Sequence, residues 1–267
     1  MPEGPEVRRY ALDLSRAVTG KTLNSVSVVS GRYTKKSPDG ADIFEEELPL
    51  HVLGTGVHGK FMYWLLEGTW SIWSTLGMTG EWSIHPNKHT RFKFVVDDEM
   101  IYYNDIRNFG TMKFVKGPQP LIEKLKSLGP DLLSEKCPDH LFVQQMRTQD
   151  AKLVVQALMD QSVVAGVGNY IKSDALWLAE ISPHRKVEEI SDRELVKLND
   201  AVREVMVTSF QSGGATLKSY KQFDGNLGEY GSKFLVYNRK VDLDGNEVVK
   251  EKTKDGRSTF WSPKRQS

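Results

Sequence analysis

Apolar positions change their period along this chain, and the changes divide it. Val7, Tyr10, Ala11, Leu14 and Val18 fall at helical spacing. Pro5 suits a first helical turn and Gly20 a helix end, so a helix is expected over 5–18. From Thr22 to about Val115 the pattern turns to strands. Leu23, Val26 and Val28 lead, 61–66 and 91–96 are rich in aromatic and β-branched residues, and Gly54, Gly56, Gly77, Gly80 and Gly110 punctuate them. A sandwich or barrel-like β domain is expected there. Residues 117–140 carry Pro118, Pro120, Pro130 and Pro138 around a short amphipathic helix at 121–128, as a connector would. Residues 141–211 read as helical. Ser191-Asp192-Arg193-Glu194 forms a capping box that opens a helix with Leu195, Leu198, Val202, Val205 and Phe210 on one face, closed by Gly213-Gly214. Strand character returns at 234–238, 247–250 and 258–261, with turns at Asp244-Gly245 and Asp255-Gly256.

The length of 267 residues fits about two domains. Boundaries are expected at 1–117 for the β domain, 118–140 for the connector and 141–267 for the helical domain. Lys+Arg 36 against Asp+Glu 35 leaves a net charge of +1, so any nucleic-acid affinity must come from local positive charge. Residues 211–267 carry 11 Lys and Arg against 7 Asp and Glu, a modest bias compatible with phosphate contact. Cys137 is the single cysteine, which excludes an intrachain disulfide and a cysteine-rich zinc site and fits a reducing, intracellular setting. The most apolar run, 61–66, is far short of the ~18 residues of a membrane span. Met-Pro-Glu-Gly-Pro-Glu lacks the apolar core of a secretory signal.

Some patterns resemble chemistry without carrying it. Gly54-Thr55-Gly56-Val57-His58-Gly59 fits G-x-G-x-x-G, but aromatic, β-like residues follow where a dinucleotide site needs a helix. Turn glycines between strands are the better account. His85 and His89 are four apart, yet Pro86 and Asn87 place them in a loop with no third ligand nearby. No G-x-S-x-G elbow is present, and Cys137 sits beside a proline, so serine or cysteine nucleophiles have no support.

The N-terminus offers a different nucleophile. Removal of Met1 would make Pro2 both the α-amino group and a secondary amine. An α-amino group has a pKa of about 7.7–8.0, against ~10.4 for lysine, so much more of it is neutral and nucleophilic at pH 7. A secondary amine attacking a carbonyl-like carbon gives an iminium, a cation that serves as an electron sink. Glu3 and Glu6 are close enough in sequence to move protons, although both would also suit the start of a helix.

The string Met1-Pro2-Glu3-Gly4-Pro5-Glu6-Val7-Arg8-Arg9 resembles the start of the formamidopyrimidine-DNA glycosylase / endonuclease VIII family, with Gly4 on the endonuclease VIII side. Four further motifs resemble the family in order. Lys60 follows a glycine-rich turn and opens a β-rich segment. Leu76-Gly77-Met78-Thr79-Gly80 and Asp105-Ile106-Arg107-Asn108-Phe109-Gly110 resemble its two loops. Gln161-Ser162-Val163-Val164-Ala165-Gly166-Val167-Gly168-Asn169-Tyr170 resembles its helix-two-turn-helix. Read without the family, that last string is a glycine-bearing turn into a helix N-terminus, where N–H groups can cradle a phosphate. Many members end in a four-cysteine zinc finger. Here Asp255-Gly256-Arg257-Ser258-Thr259-Phe260-Trp261-Ser262-Pro263-Lys264-Arg265 keeps the finger's frame, with Ser262 and Arg265 where cysteines would be. This resembles the zincless finger of endonuclease VIII-like enzymes, including versions carried by giant DNA viruses.

The resemblance implies an α+β protein of two domains. The first is a β-sandwich with flanking helices, and the second is a helical helix-two-turn-helix domain ending in a β-hairpin zincless finger over about 234–267. DNA would lie in the cleft between them. It implies a DNA N-glycosylase with apurinic/apyrimidinic lyase activity in base excision repair, with β-elimination followed by δ-elimination. Pro2 would attack C1′ and Glu3 would protonate the sugar ring oxygen, with Glu6 a supporting carboxylate. Lys60, Asn169 with Gly168, and Arg257 would fix phosphates. Met78, Arg107 and Phe109 would fill the space left by the everted base. Oxidised pyrimidines and hydantoins are the expected substrates, with 8-oxoguanine as the alternative, or a damage-binding protein without catalysis. The expected partner is damaged double- or single-stranded DNA. The protein is expected to be an intracellular monomer, in the nucleus or a viral replication compartment, with no cofactor, metal or membrane. The segment 225–231 would form a lid over the everted base.

Overall fold

A computed structural model describes residues 2–134, 137–215, 223 and 228–267. The chain divides into two compact units. The first comprises Met1–Pro2, Glu6–Lys126 and Gly213–Gly228, and the second Glu3–Pro5, Ser127–Ser212 and Glu229–Ser267.

In the first unit, α1 (Gly4–Val18) is followed by eight strands: β1 (Thr22–Val28), β2 (Leu50–His58), β3 (Phe61–Leu66), β4 (Trp70–Thr75), β5 (Gly80–Ser83), β6 (Thr90–Val96), β7 (Glu99–Asp105) and β8 (Thr111–Lys116). All pairings are antiparallel, in the order β5-β7-β6-β1-β2-β3-β4-β8. The β1–β2 seam is short, joining only Thr22 to His51 and Leu23 to Leu50. The sheet folds there into two four-stranded layers. Trp64 of β3 meets Trp82 of β5 and Phe94 of β6, each at 5.5 Å between ring centroids, so the layers share one aromatic core. Val7, Tyr10, Ala11, Leu14 and Val18 of α1 are buried in the same core, as their spacing requires.

The G-x-G-x-x-G string runs along β2 into the β2–β3 turn, where Gly59 has φ 57°. Gly56 lies under the ring of Tyr63 on β3, and a side chain there would occupy the ring's place. The strand-only reading of 22–115 missed one α-helix, α2 (Ala41–Glu46), and two single-turn 3-10 helices at Arg32–Thr34 and Glu67–Thr69. A helix of six residues is too short to show a period, and its buried contacts are Ala41 and Phe44 alone.

The second unit is helical. Beside the short α3 (Pro118–Lys126) of the first unit, it adds α4 (Asp139–Arg147), α5 (Val154–Met159), α6 (Asn169–Leu178) and α7 (Asp192–Gln211). The Ser191 hydroxyl accepts from the Glu194 N–H and the Glu194 side chain accepts from the Ser191 N–H, completing the capping box. Tyr170 to Trp177 of α6 are all buried, including Lys172, Ser173 and Asp174.

The chain ends in a hairpin of β9 (Val249–Lys252) and β10 (Ser258–Trp261). The expected strand at 234–238 is not formed. Its N–H groups go elsewhere: Val236 and Tyr237 both donate to Asp174 Oδ1, at 3.0 Å each. Phe234 and Val236 are buried, so the alternation in sequence reflected packing without a ladder partner.

Asp174 gives this anchor a pH dependence. Burial raises its carboxyl to about 6, although the N–H groups of Val236, Tyr237 and Leu235 pull it down. The folded state therefore holds a proton more tightly than the unfolded chain, where the ordinary value is 3.8. The stability advantage of the native protein over Asp174→Asn should grow as pH falls from 7 towards 4. Denaturant melts at pH 7, 6, 5 and 4 check this, and a constant difference would contradict it.

Candidate active site

In the second unit a carboxylate sits on a helix N-terminus. The Glu3 carboxylate, 2% exposed, accepts from the N–H of Tyr170 at 3.0 Å and of Ile171 at 3.3 Å, in the first turn of α6. Such a terminus suits negative charge. The turn before it is built for this approach. Gly166 has φ 91°, and its carbonyl accepts from the Gly4 N–H at 2.9 Å, laying residues 3–5 along the turn. A Cβ on Gly4 would come within 3.1 Å of the Gly166 backbone. The Gln161 amide spans the turn, accepting from Gly166 N–H and donating to the carbonyls of Met159 and Val167. At Gly168 a Cβ would overlap the Glu3 carboxyl group, with Cγ at 2.6 Å. Gly168 thus leaves room for Glu3, a role its motif position did not reveal.

Asn169, half-buried, donates through Nδ2 to the Ser258 carbonyl at 2.8 Å, tying α6 to the C-terminal hairpin. Its Oδ1 is buried with no hydrogen-bond partner. Arg257 is exposed in the hairpin turn, where Gly256 has φ 78°. The base of the hairpin is closed by polar groups. Arg265 stacks on Trp177 at 3.9 Å, donates to its carbonyl at 3.1 Å and pairs with Asp244 and Glu180. Asp242 accepts from Trp177 Nε1 at 3.1 Å, and from the N–H of Asn246 at 2.8 Å and Asp244 at 3.0 Å. Burial would raise the Asp242 carboxyl, but the donors from Trp177 and Asn246 hold it at about 2. The side chains here do not form a zinc set. Cys137 is buried away in the helical part, and the described residues contain no group of three or more His, Cys, Asp or Glu able to hold a metal ion.

The first unit holds the other candidates. Pro2 is buried. Glu6 is 1% exposed and accepts from the Ala215 N–H at 2.7 Å, a partner 209 residues away that no local pattern signals. Lys60 is half-buried at the β2–β3 turn. Met78, Arg107 and Phe109 come together from the β4–β5 and β7–β8 loops. Arg107 Nη1 is 2.9 Å from Met78 Sδ, and its guanidinium lies 4.6 Å from the Phe109 ring centroid. Met78 and Phe109 are 37% and 54% exposed, large apolar side chains offered to solvent. The loops beneath them are fixed. Asp105 accepts from the Thr79 hydroxyl at 2.5 Å and the Gly110 N–H at 2.8 Å, while the Arg107 N–H donates to Thr79. A Cβ on Gly77 would come within 2.9 Å of the Gly110 nitrogen. Of the expected lid, residues 225–227 lie outside the described residues.

Residues 1–112 match the family model of the formamidopyrimidine-DNA glycosylase N-terminal domain, and residues 128–221 match that of the formamidopyrimidine-DNA glycosylase H2TH domain. The chain belongs to the formamidopyrimidine-DNA glycosylase family. It is 34% identical over 244 residues to the formamidopyrimidine-DNA glycosylase of Thermus thermophilus, covering 90% of this chain and 88% of that one. It is 30% identical over 274 residues to that of Bacillus anthracis, covering 98% of each. The fold is similar to the crystal structure of the MutM (Fpg) protein from Thermus thermophilus, with a TM-score of 0.88 and 31% identity over 99% of this chain and 98% of that one. It is equally similar, at 0.88 and 25% identity over 99% of both chains, to Lactococcus lactis Fpg in complex with an abasic site containing DNA. The α+β fold class, β-sandwich followed by helix-two-turn-helix, is that of the family. No helix among the described residues is long and apolar enough to cross a membrane.

Proposed function

We propose that this protein is a DNA N-glycosylase with apurinic/apyrimidinic lyase activity, which removes oxidised bases from damaged DNA and cuts the strand. The observation that carries the reading is the Glu3 carboxylate on the first N–H groups of α6, next in the chain to Pro2 and beside Asn169. Once Met1 is removed, the Pro2 nitrogen attacks C1′ of the damaged nucleotide and the base departs with its bonding electron pair and a proton. The proton released from the Pro2 nitrogen passes through the Glu3 carboxylate to the sugar ring oxygen, and ring opening leaves an iminium between Pro2 and C1′, the proton on the departing base coming from solvent. The iminium acidifies C2′, so loss of a C2′ proton expels the 3′ phosphate by β-elimination. A second, δ-elimination expels the 5′ phosphate. Glu6, bonded to Ala215, is a supporting carboxylate. Lys60, Asn169 and Arg257 contact phosphates, with Gly168 holding the turn open. Met78, Arg107 and Phe109 fill the stack, offsetting part of the few kcal/mol that base eversion costs.

The absence of a cysteine set, the polar closure of the hairpin and Gly4 support placing the chain in the endonuclease VIII-like branch, with oxidised pyrimidines and hydantoins as preferred lesions. A second reading, oxidised purines, is favoured by the similarity to the solved structure of MutM in complex with carbocyclic 8-oxo-G containing DNA. Duplexes carrying thymine glycol, a hydantoin or 8-oxoguanine decide between them in single-turnover assays. Faster excision of the first two is expected, and a clear preference for 8-oxoguanine would overturn the branch assignment. Binding without strand cutting on every lesion would overturn the enzyme.

A further inference from the structure

Lys172 has no solvent exposure, and the mechanism above does not use it. It lies in the middle of α6, one turn after Asn169. Its Nζ donates to Asp255 Oδ2 at 2.5 Å and to Thr259 Oγ1 at 2.9 Å. The Asp255 side chain is itself only 3% exposed. Its other oxygen accepts from the Thr253 hydroxyl at 2.6 Å and the Arg257 N–H at 3.2 Å. The hydroxyls of Thr253 and Thr259 meet at 2.6 Å, and the Thr253 N–H donates to the Arg257 carbonyl at 3.0 Å. Asp255, Thr253, Thr259 and the Arg257 backbone therefore form one network around the buried ammonium.

An ion pair buried this deeply adds little net stability, because desolvating two charges costs about as much as their attraction returns. An apolar pair would fill the space as well. What the pair can supply is a single geometry. The hairpin has four residues in each strand, a size at which isolated hairpins are marginal. Its turn carries Arg257, and its second strand begins at Ser258, whose carbonyl holds Asn169. Lys172 thus connects, through one carboxylate, the backbone that aims Arg257 with the helix that carries Asn169. Burial works against the ammonium and Asp255 supports it, with the Glu3 charge adding to that support.

We propose that Lys172 is a positioning residue for phosphate recognition. Through Asp255 it sets the hairpin turn so that Arg257 and Asn169 engage the DNA backbone as one unit. The inference rests on the glycosylase reading above.

The test is a double-mutant cycle with Lys172→Met and Arg257→Ala. Binding to a duplex with a tetrahydrofuran abasic analogue is followed across salt concentrations, beside single-turnover rates and melting temperatures. Arg257→Ala should weaken binding about tenfold and lower the slope of log K against log salt by about 0.9, one phosphate contact. Lys172→Met should do the same while the rate at saturating DNA changes about threefold or less, and the double variant should bind within about twofold of the weaker single. Lys172→Arg, which keeps the cation, should restore most of the slope. Should Lys172→Met fail to fold, Asp255→Asn carries the same expectations. Multiplicative losses in the double variant with the salt slope unchanged by Lys172→Met would make Lys172 a stability residue and overturn the proposal. If the wild-type protein shows no salt-dependent binding of the duplex, the glycosylase reading falls first and this inference with it.

Discussion

Gly168→Ala should lower single-turnover base excision about 10²-fold, the usual cost of displacing a reacting group by an ångström. The added Cβ would lie within the Glu3 carboxyl group, 2.6 Å from Cγ and closer still to the carboxyl carbon. Neither partner can yield cheaply. Glu3 is fixed by two N–H groups of α6 and followed by Gly4, which is bonded to Gly166. The backbone of residue 168 has φ −129°, ψ −157°, extended values that alanine adopts freely. The substitution therefore introduces a collision without introducing backbone strain, and its effect reports on the carboxylate. Stability should fall as well, by about 1–3 kcal/mol, because the buried N–H groups of Tyr170 and Ile171 lose their acceptor, so excision is compared at a temperature where the variant is folded. The rate of excision, with a melting curve beside it, checks the prediction. Wild-type activity in Gly168→Ala would show that Glu3 need not sit at the helix terminus for the reaction.

Gly168 also shows where sequence reasoning stops. Its place before a helix start pointed to phosphate cradling by backbone N–H groups. In the structure two of those donors, Tyr170 and Ile171, are occupied by Glu3, which is 167 residues away from Tyr170. Local patterns fared well where periodicity had a single cause. The buried stripe of α1, the capping box of α7 and the β2–β3 turn were all legible, because one face or one turn dictates each. The alternation at 234–238 had another cause. Phe234 and Val236 alternate for packing, and the Asp174 carboxylate takes the N–H groups that a neighbouring strand would have used.

The site was legible as a set of motifs but not as a set of contacts. Met78, Arg107 and Phe109 could be named from two loops, whereas the Asp105–Thr79 hydrogen bond that fixes the loops against each other could not. The buried run Lys172-Ser173-Asp174 left a trace in the sequence, three polar residues inside an otherwise apolar helix. Lys172 and Asp174 find their partners, Asp255, Thr259 and the 236–237 backbone, 62 to 87 residues away, beyond any periodicity, while Ser173 bonds the Asn169 carbonyl one turn earlier. Polar closure of the hairpin was similarly hidden. The sequence showed which positions lack cysteine, and the structure shows Arg265 on Trp177 and Asp242 among its donors.

The central claim is covalent, that the Pro2 nitrogen forms an iminium with C1′ of damaged DNA. It calls for purified protein, mixed with a duplex carrying thymine glycol or an abasic site, and then borohydride. Hydride addition to the iminium carbon converts it to a stable amine. The account predicts a crosslinked protein–DNA species for the wild type and its loss in Pro2→Thr, which replaces the secondary ring amine with a primary main-chain amine no longer held by the ring. Glu3→Gln should retain trapping on a preformed abasic site while losing excision of the intact damaged base. A crosslink that survives in Pro2→Thr and maps to a lysine would contradict the assignment of the nucleophile. No crosslink on any lesion, with tight binding throughout, would contradict the lyase itself.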